Sequence, residues 1–274
     1  MSREERSLGK GGCRDAGEPV GYGDGMCTLL LGRDLLGPGT LVLATNRDED
    51  PERTSSRPTR LAARTPIACG RDLRAGGTWL AVRGGQDPAA AALLNRRPEP
   101  DAPAPARSRG ELPLALVTAP DPRVIAHSLL QSTAYGPCTL LWLSPETCWA
   151  LTLAPGRRQL QHIGPGWHVI THADLDDPSE PRTEWLLRQL AGFAPNSFEA
   201  AESRLTALLV SHGEGDGPPV CIHEGRMPTV SASSLRMSRG SVHYEHAEGP
   251  PCTHAFESCD ALLAESVSNE EETP

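Results

Sequence analysis

After Met26, Cys27-Thr28-Leu29-Leu30-Leu31 is a short apolar run, Gly37-Pro38-Gly39 is a turn, and Thr40-Leu41-Val42-Leu43-Ala44-Thr45 is a second apolar run that ends in Asn46-Arg47-Asp48-Glu49. Two apolar runs about a Gly/Pro turn predict a β-hairpin. The pairing sets four polar residues at the end of a buried strand, beside Cys27. A guanidinium there lowers a thiol pKa, and a carboxylate holds and orients an amine. The plain alternatives are a buried strand cysteine and a solvated turn with an Arg–Asp pair, and the residues alone leave both open.

Working upstream, residues 1–25 are rich in glycine and charge and have almost no apolar periodicity. They read as a disordered leader or a mis-assigned start. If the chain starts at Met26, trimming of that methionine leaves Cys27 with a free α-amine beside its thiol. Such an amine has a pKa of about 7.7–8.0 and can take the thiol proton. Cleavage of the leader as a propeptide has the same result.

Downstream, residues 50–66 read as a Pro- and Arg-rich loop. Strands are expected over 77–82 and 89–94, the latter ending at Asn95, with a loop over 96–109. Helices are expected over 110–117 and 122–131. Residues 139–143 and 148–153 read as a hairpin, and 159–163 with 167–171 as another around Gly164-Pro165-Gly166. Helices over 180–190 and 197–211 and strands over 229–236 and 241–246 follow. Strands, helices, strands, helices, strands make an α+β arrangement of mostly antiparallel hairpins, not an alternating doubly wound sheet. Residues 26–264 are expected to form one domain, and 265–274 an acidic disordered tail.

Composition narrows the function. The 274 residues are 38% hydrophobic, enough for a sizeable core. No apolar run approaches the roughly 20 residues of a membrane span, and Met1–Lys10 lacks the apolar stretch of a secretory signal. A net charge of −9 disfavours non-specific nucleic-acid binding. Nucleotide-binding glycine fingerprints are missing. Eight cysteines without a Cys-x-x-Cys pair, in a chain with no export signal, point to reduced thiols in the cytoplasm. His162, His168, His172, His243 and His246 lie on strand-like segments without helical metal-ligand spacing, so no metal site is expected.

Met26-Cys27, Asn46-Arg47-Asp48-Glu49, Arg57-Pro58, Gly76-Gly77-Thr78-Trp79-Leu80, Leu94-Asn95 and Arg109-Gly110-Glu111-Leu112 occur in an order that resembles the NRDE family, which includes the transport and Golgi organisation 2 homologues. The resemblance covers residues 26–112 and continues more weakly to about 246. The family is similar to N-terminal-nucleophile hydrolases, with a four-layer αββα sandwich, and resembles cysteine amidases of the penicillin V acylase and bile-salt hydrolase type.

The resemblance implies that Cys27 is the nucleophile with its own amine as base. Arg47 would sit against the thiolate, Asp48 would hold the amine, and Asn95 would offer its amide to the oxyanion. Trp79 would be structural or line the pocket. Where animal members have Ser-Asn-Ala, this chain has Thr171-His172-Ala173. His172 would either replace an oxyanion-side asparagine or be a hydrogen-bonded loop histidine. An arginine that some members carry near Thr229-Val230-Ser231 is missing, and Arg236 is out of step with it.

Two functions are therefore weighed. The first is hydrolysis of a small amide or other acyl substrate through a thioester on Cys27, with no cofactor. The second is a non-catalytic protein of the same fold that handles haem or acyl lipids, with His243 and Cys27 as candidate axial ligands.

Overall fold

The computed structural model describes residues 27–97, 105–213, 215 and 217–265. The leader expected over 1–25 and, apart from Glu265, the tail expected over 265–274 lie outside the described residues. In chain order the elements are β1 (Thr28–Arg33), β2 (Leu41–Asp48), β3 (Ser55–Arg60), β4 (Ile67–Asp72), β5 (Leu80–Arg83), β6 (Ala89–Asn95), α1 (Leu112–Thr118), α2 (Pro122–Gln131), β7 (Cys138–Leu143), β8 (Cys148–Ala154), β9 (Arg157–His162), β10 (Gly166–Ile170), α3 (Pro181–Leu190), α4 (Phe198–Leu209), β11 (Thr229–Ser238), β12 (Ser241–Ala247) and β13 (Glu257–Ser258).

The strands form a six-stranded sheet, β10-β1-β2-β11-β12-β13, and a seven-stranded sheet, β3-β4-β5-β6-β7-β8-β9. The pairings within them are antiparallel, as in the β1–β2 hairpin read from the sequence. This is the expected α+β class. No helix among the described residues is long and apolar enough to cross a membrane.

Leu29, Leu30 and Leu31 show why these strands read as unbroken apolar runs. Successive side chains of a strand point to opposite faces. Leu29 and Leu31 join a cluster with Leu43 of β2 and with Leu80, Val82, Ala92 and Leu141 of the other sheet. Leu30 joins Val42 and Ala44 against Leu186, Leu190, Leu205 and Leu209 of α3 and α4. A third cluster packs Leu112, Leu116 and Leu129 of α1 and α2 on Ala81, Ala91, Leu140 and Trp142. Both faces of the central strands are covered, so alternation of apolar and polar residues is lost. Each fully buried leucine contributes about 1.5–3 kcal/mol.

Three of the four α-helices among the described residues begin where a side chain caps them. Asp121 accepts from Arg123 N, Glu180 from Thr183 N, and Ser197 from Ala200 N. Pro122 and Pro181 stand at the first helical position, where no backbone donor is needed.

Two expectations require correction. The segments over 159–163 and 167–171 do not form a hairpin. β9 pairs with β8 in one sheet and β10 pairs with β1 in the other, so Gly164-Pro165-Gly166 carries the chain between sheets. The loop expected over 50–66 contains β3, an edge strand against β4. Its ladder breaks between Ser56 and Thr59, where Pro58 has no N–H to give.

Candidate active site

The β1–β2 register pairs Thr28 with Asn46, which brings Cys27, one residue before β1, to the level of Arg47. All eight residues of β2 are buried, including Asn46, Arg47 and Asp48. Alternation along the strand then separates their side chains. Asn46 donates to the Leu209 and Val220 carbonyls, 3.0 Å each, bolting β2 to the end of α4 and to the segment before β11. Its task is structural.

Arg47 lies over the ring of Trp79, 4.3 Å from its centroid. Its guanidinium donates to Ser55 Oγ at 3.3 Å and stands 3.5 Å from Glu49 Oε2. Glu49 also reaches Arg53 at 3.7 Å, and Arg53 pairs with Asp72 at 2.6 Å. Sequence reasoning missed Arg53 and Asp72. Their only signal is an arginine in a loop and an aspartate before a glycine turn, and it takes the fold to bring them together.

Asp48 accepts a 2.7 Å hydrogen bond from Thr229 at Oδ1. Its Oδ2 is buried with no partner among the described residues. Burial pushes this carboxyl up to about 7, against the pull of Arg182 and the Thr229 hydrogen bond. The Cys27 thiol is 3.7 Å from the Asp48 carbonyl, which it faces as a donor. Burial, reinforced by the Asp48 charge, pushes the thiol up to about 12 and outweighs the downward pull of Arg47. With residues still attached before Cys27, burial thus opposes the lowering that a neighbouring Arg47 exerts.

Cys27, Arg47, Asp48 and Asn95 line one cavity of about 140 Å³. Trp79 lines it too and also packs against the core and close to Gly70, so both of its expected roles are seen. Asn95 is exposed at the end of β6. Two glycine motifs close the cavity's other side. A Cβ on Gly77 would stand 2.5 Å from the Gly110 carbonyl carbon, and Thr78 N donates to the Gly110 carbonyl at 2.8 Å. Only glycine allows this contact, which carries Arg109 and Ser108 to the cavity rim.

His172 is half-buried beyond β10 and does not line this cavity. Burial pulls its imidazole below the usual range. Arg236 pairs with Glu199 and Glu202 of α4. His243 is bound to Asp260 at 2.8 Å and is not part of the Cys27 cavity, so the two candidate haem ligands do not share a pocket. The other strand histidines also have local partners. His168 meets Asp176 and the Gly164 carbonyl, and His246 meets Ser233.

Comparison with known proteins gives a family match. Residues 26–214 match the model of the family described as Transport and Golgi organisation 2. No curated protein matches the chain.

Proposed function

This chain belongs to the Transport and Golgi organisation 2 family, also called NRDE, and on that premise we propose that it is a cysteine hydrolase of N-terminal-nucleophile type. Residues 26–264 are one domain in this reading, and the two sheets with their helices make a four-layer αββα sandwich. One observation carries it. A cysteine, a stacked buried arginine and a carboxylate with an unpartnered buried oxygen share one small cavity at the start of β1.

Removal of the residues before Cys27 turns its amide nitrogen into an amine. The amine, when protonated, supplies the charge that the Asp48 carboxylate lacks, and Arg47 stabilises the thiolate. The Cys27 sulfur attacks the acyl carbon while its proton passes to the amine. Asn95 donates to the oxyanion, a contact worth roughly 3–4 kcal/mol in comparable sites. The leaving group takes the proton as the carbon–nitrogen or carbon–oxygen bond breaks, leaving a thioester. Water, deprotonated by the same amine, releases the acid and restores the thiol. His172 has no step in this scheme.

A cavity of about 140 Å³ is smaller than the roughly 300–1,000 Å³ of drug-sized sites, so the substrate inserts a short acyl group. The test places a cleavable tag directly before Cys27 and assays a panel of acyl amides before and after cleavage. Activity that appears only after cleavage supports the reading. Activity indifferent to the tag removes the terminal amine from the mechanism. Inactivity in both forms, with haem bound in both, favours the binding protein instead.

A further inference from the structure

Four side chains from three separate segments converge outside the Cys27 cavity. His212 follows α4, Cys221 and His223 lie in the segment before β11, and Cys252 lies in the turn after β12. Their ligand atoms all fall within 4.8 Å of one another. Cys221 Sγ and Cys252 Sγ are 3.5 Å apart. His223 Nε2 is 3.1 Å from His212 Nε2, 3.1 Å from Cys252 Sγ and 3.8 Å from Cys221 Sγ.

Hydrogen bonding does not account for that convergence. An imidazole Nε2 carries one proton or one lone pair, and here three polar atoms crowd round it. A metal ion does account for it. With Zn–S of about 2.3 Å and Zn–N of about 2.0–2.1 Å, a tetrahedron has edges of about 3.8 Å (S to S), 3.5 Å (S to N) and 3.3 Å (N to N). Four of the six separations follow those edges to within about half an ångström, and the two from His212 to the sulfurs lie within 4.8 Å. Two thiolates and two imidazoles without a carboxylate select a borderline-soft ion over Ca²⁺ or Mg²⁺.

We propose that His212, Cys221, His223 and Cys252 form a tetrahedral site for one Zn²⁺ ion. Four protein ligands leave no open position for substrate, so the ion is structural. Cys221 is buried while His212 and His223 are exposed, so the site opens to solvent on the histidine side. The segment it would clamp supports β2. The Val220 carbonyl accepts from Asn46, and Ile222 N donates to Thr229 Oγ1 at 2.9 Å, the hydroxyl that in turn donates to Asp48. The ion would hold the chain between α4 and β11 against the turn after β12, behind the strand end that carries Asp48. The proposal does not depend on the hydrolase reading, because its test measures metal.

The experiment uses the untagged full chain, purified under reducing conditions. Elemental mass spectrometry is expected to find one zinc per chain. Cobalt(II) added to the stripped protein should produce intense tetrahedral d–d bands and thiolate-to-cobalt charge transfer. His212→Gln and Cys252→Ser should weaken zinc binding by more than the roughly 10–100-fold that loss of an outer-shell partner costs, and Cys27→Ala should bind as the parent does. His212 is exposed, so His212→Gln keeps the test decisive if Cys252→Ser does not fold by circular dichroism. An octahedral cobalt spectrum, zinc affinity unchanged in His212→Gln, or a Cys221–Cys252 disulfide in the reduced preparation would overturn the site.

Discussion

Thr229 Oγ1 donates a 2.7 Å hydrogen bond to Asp48 Oδ1, while the second carboxylate oxygen of Asp48 is buried without a partner. The same hydroxyl accepts from Ile222 N at 2.9 Å. One small side chain thus joins β2, β11 and the segment before β11. Thr229→Val leaves two buried polar groups without that hydroxyl, at about 1–3 kcal/mol each. Urea denaturation should register a loss of about 2 kcal/mol or more, and Thr229→Ser should restore most of it. A valine variant as stable as the parent would exclude this role.

The Asp48 carboxyl sets a pH dependence of unusual sign. Burial raises it from 3.8 to about 7 in the folded chain, against about 3.9 unfolded. Between about pH 4 and 7 the folded state therefore binds more protons, and stability falls as pH rises through that window. A shift of this size corresponds to a few kcal/mol at about 1.4 kcal/mol per unit. Asp48→Asn, in the chain with the residues before Cys27 retained, should lose this slope and exceed the parent in stability at pH 8. The difference between the two denaturation-versus-pH curves isolates Asp48. Parallel curves would mean that the carboxyl titrates normally.

Cys27 should change character on exposure of its amine. In the uncleaved chain, burial holds the thiol at about 12, so alkylation at pH 7 should be slower than that of a free cysteine. Cleavage directly before Cys27 adds a cationic group next to Arg47, and the rate should rise by about tenfold or more as the thiolate fraction grows. Arg47→Ala should blunt that rise and also remove the stacking on Trp79. Mass-mapped iodoacetamide labelling before and after cleavage measures both. Equal rates in the two forms would count against activation by the amine.

Asn95 separates catalysis from stability. It is exposed at a strand end, so Asn95→Ala should alter stability by no more than about 0.5 kcal/mol. If its amide serves the oxyanion, kcat should drop about 100–1,000-fold with KM little changed. Full turnover in Asn95→Ala would assign the oxyanion contact elsewhere.

The sequence carried the α+β class and the first hairpin because both depend on local chemistry. Apolar runs of strand length, a Gly-Pro-Gly turn and the capping residues before α2, α3 and α4 act over a few residues. The pairing of Cys27 with the level of Arg47 followed from the same hairpin. β3 was hidden because it is a polar edge strand broken at Pro58, with little apolar pattern to find.

Long-range partnership belonged to the tertiary structure. Nothing near Gly164-Pro165-Gly166 tells whether the flanking strands pair with each other, and only the waiting edges of β8 and β1 send them to different sheets. The balance at Cys27 was decided in the same way. Residue types promised a thiol lowered by Arg47, but desolvation is a property of the packed interior, and it wins while the chain continues before Cys27. His212, Cys221, His223 and Cys252 have no recognisable ligand spacing in the chain. They meet because α4, the segment before β11 and the turn after β12 end at one place, and a ligand set is defined by distances in space that sequence separation does not encode.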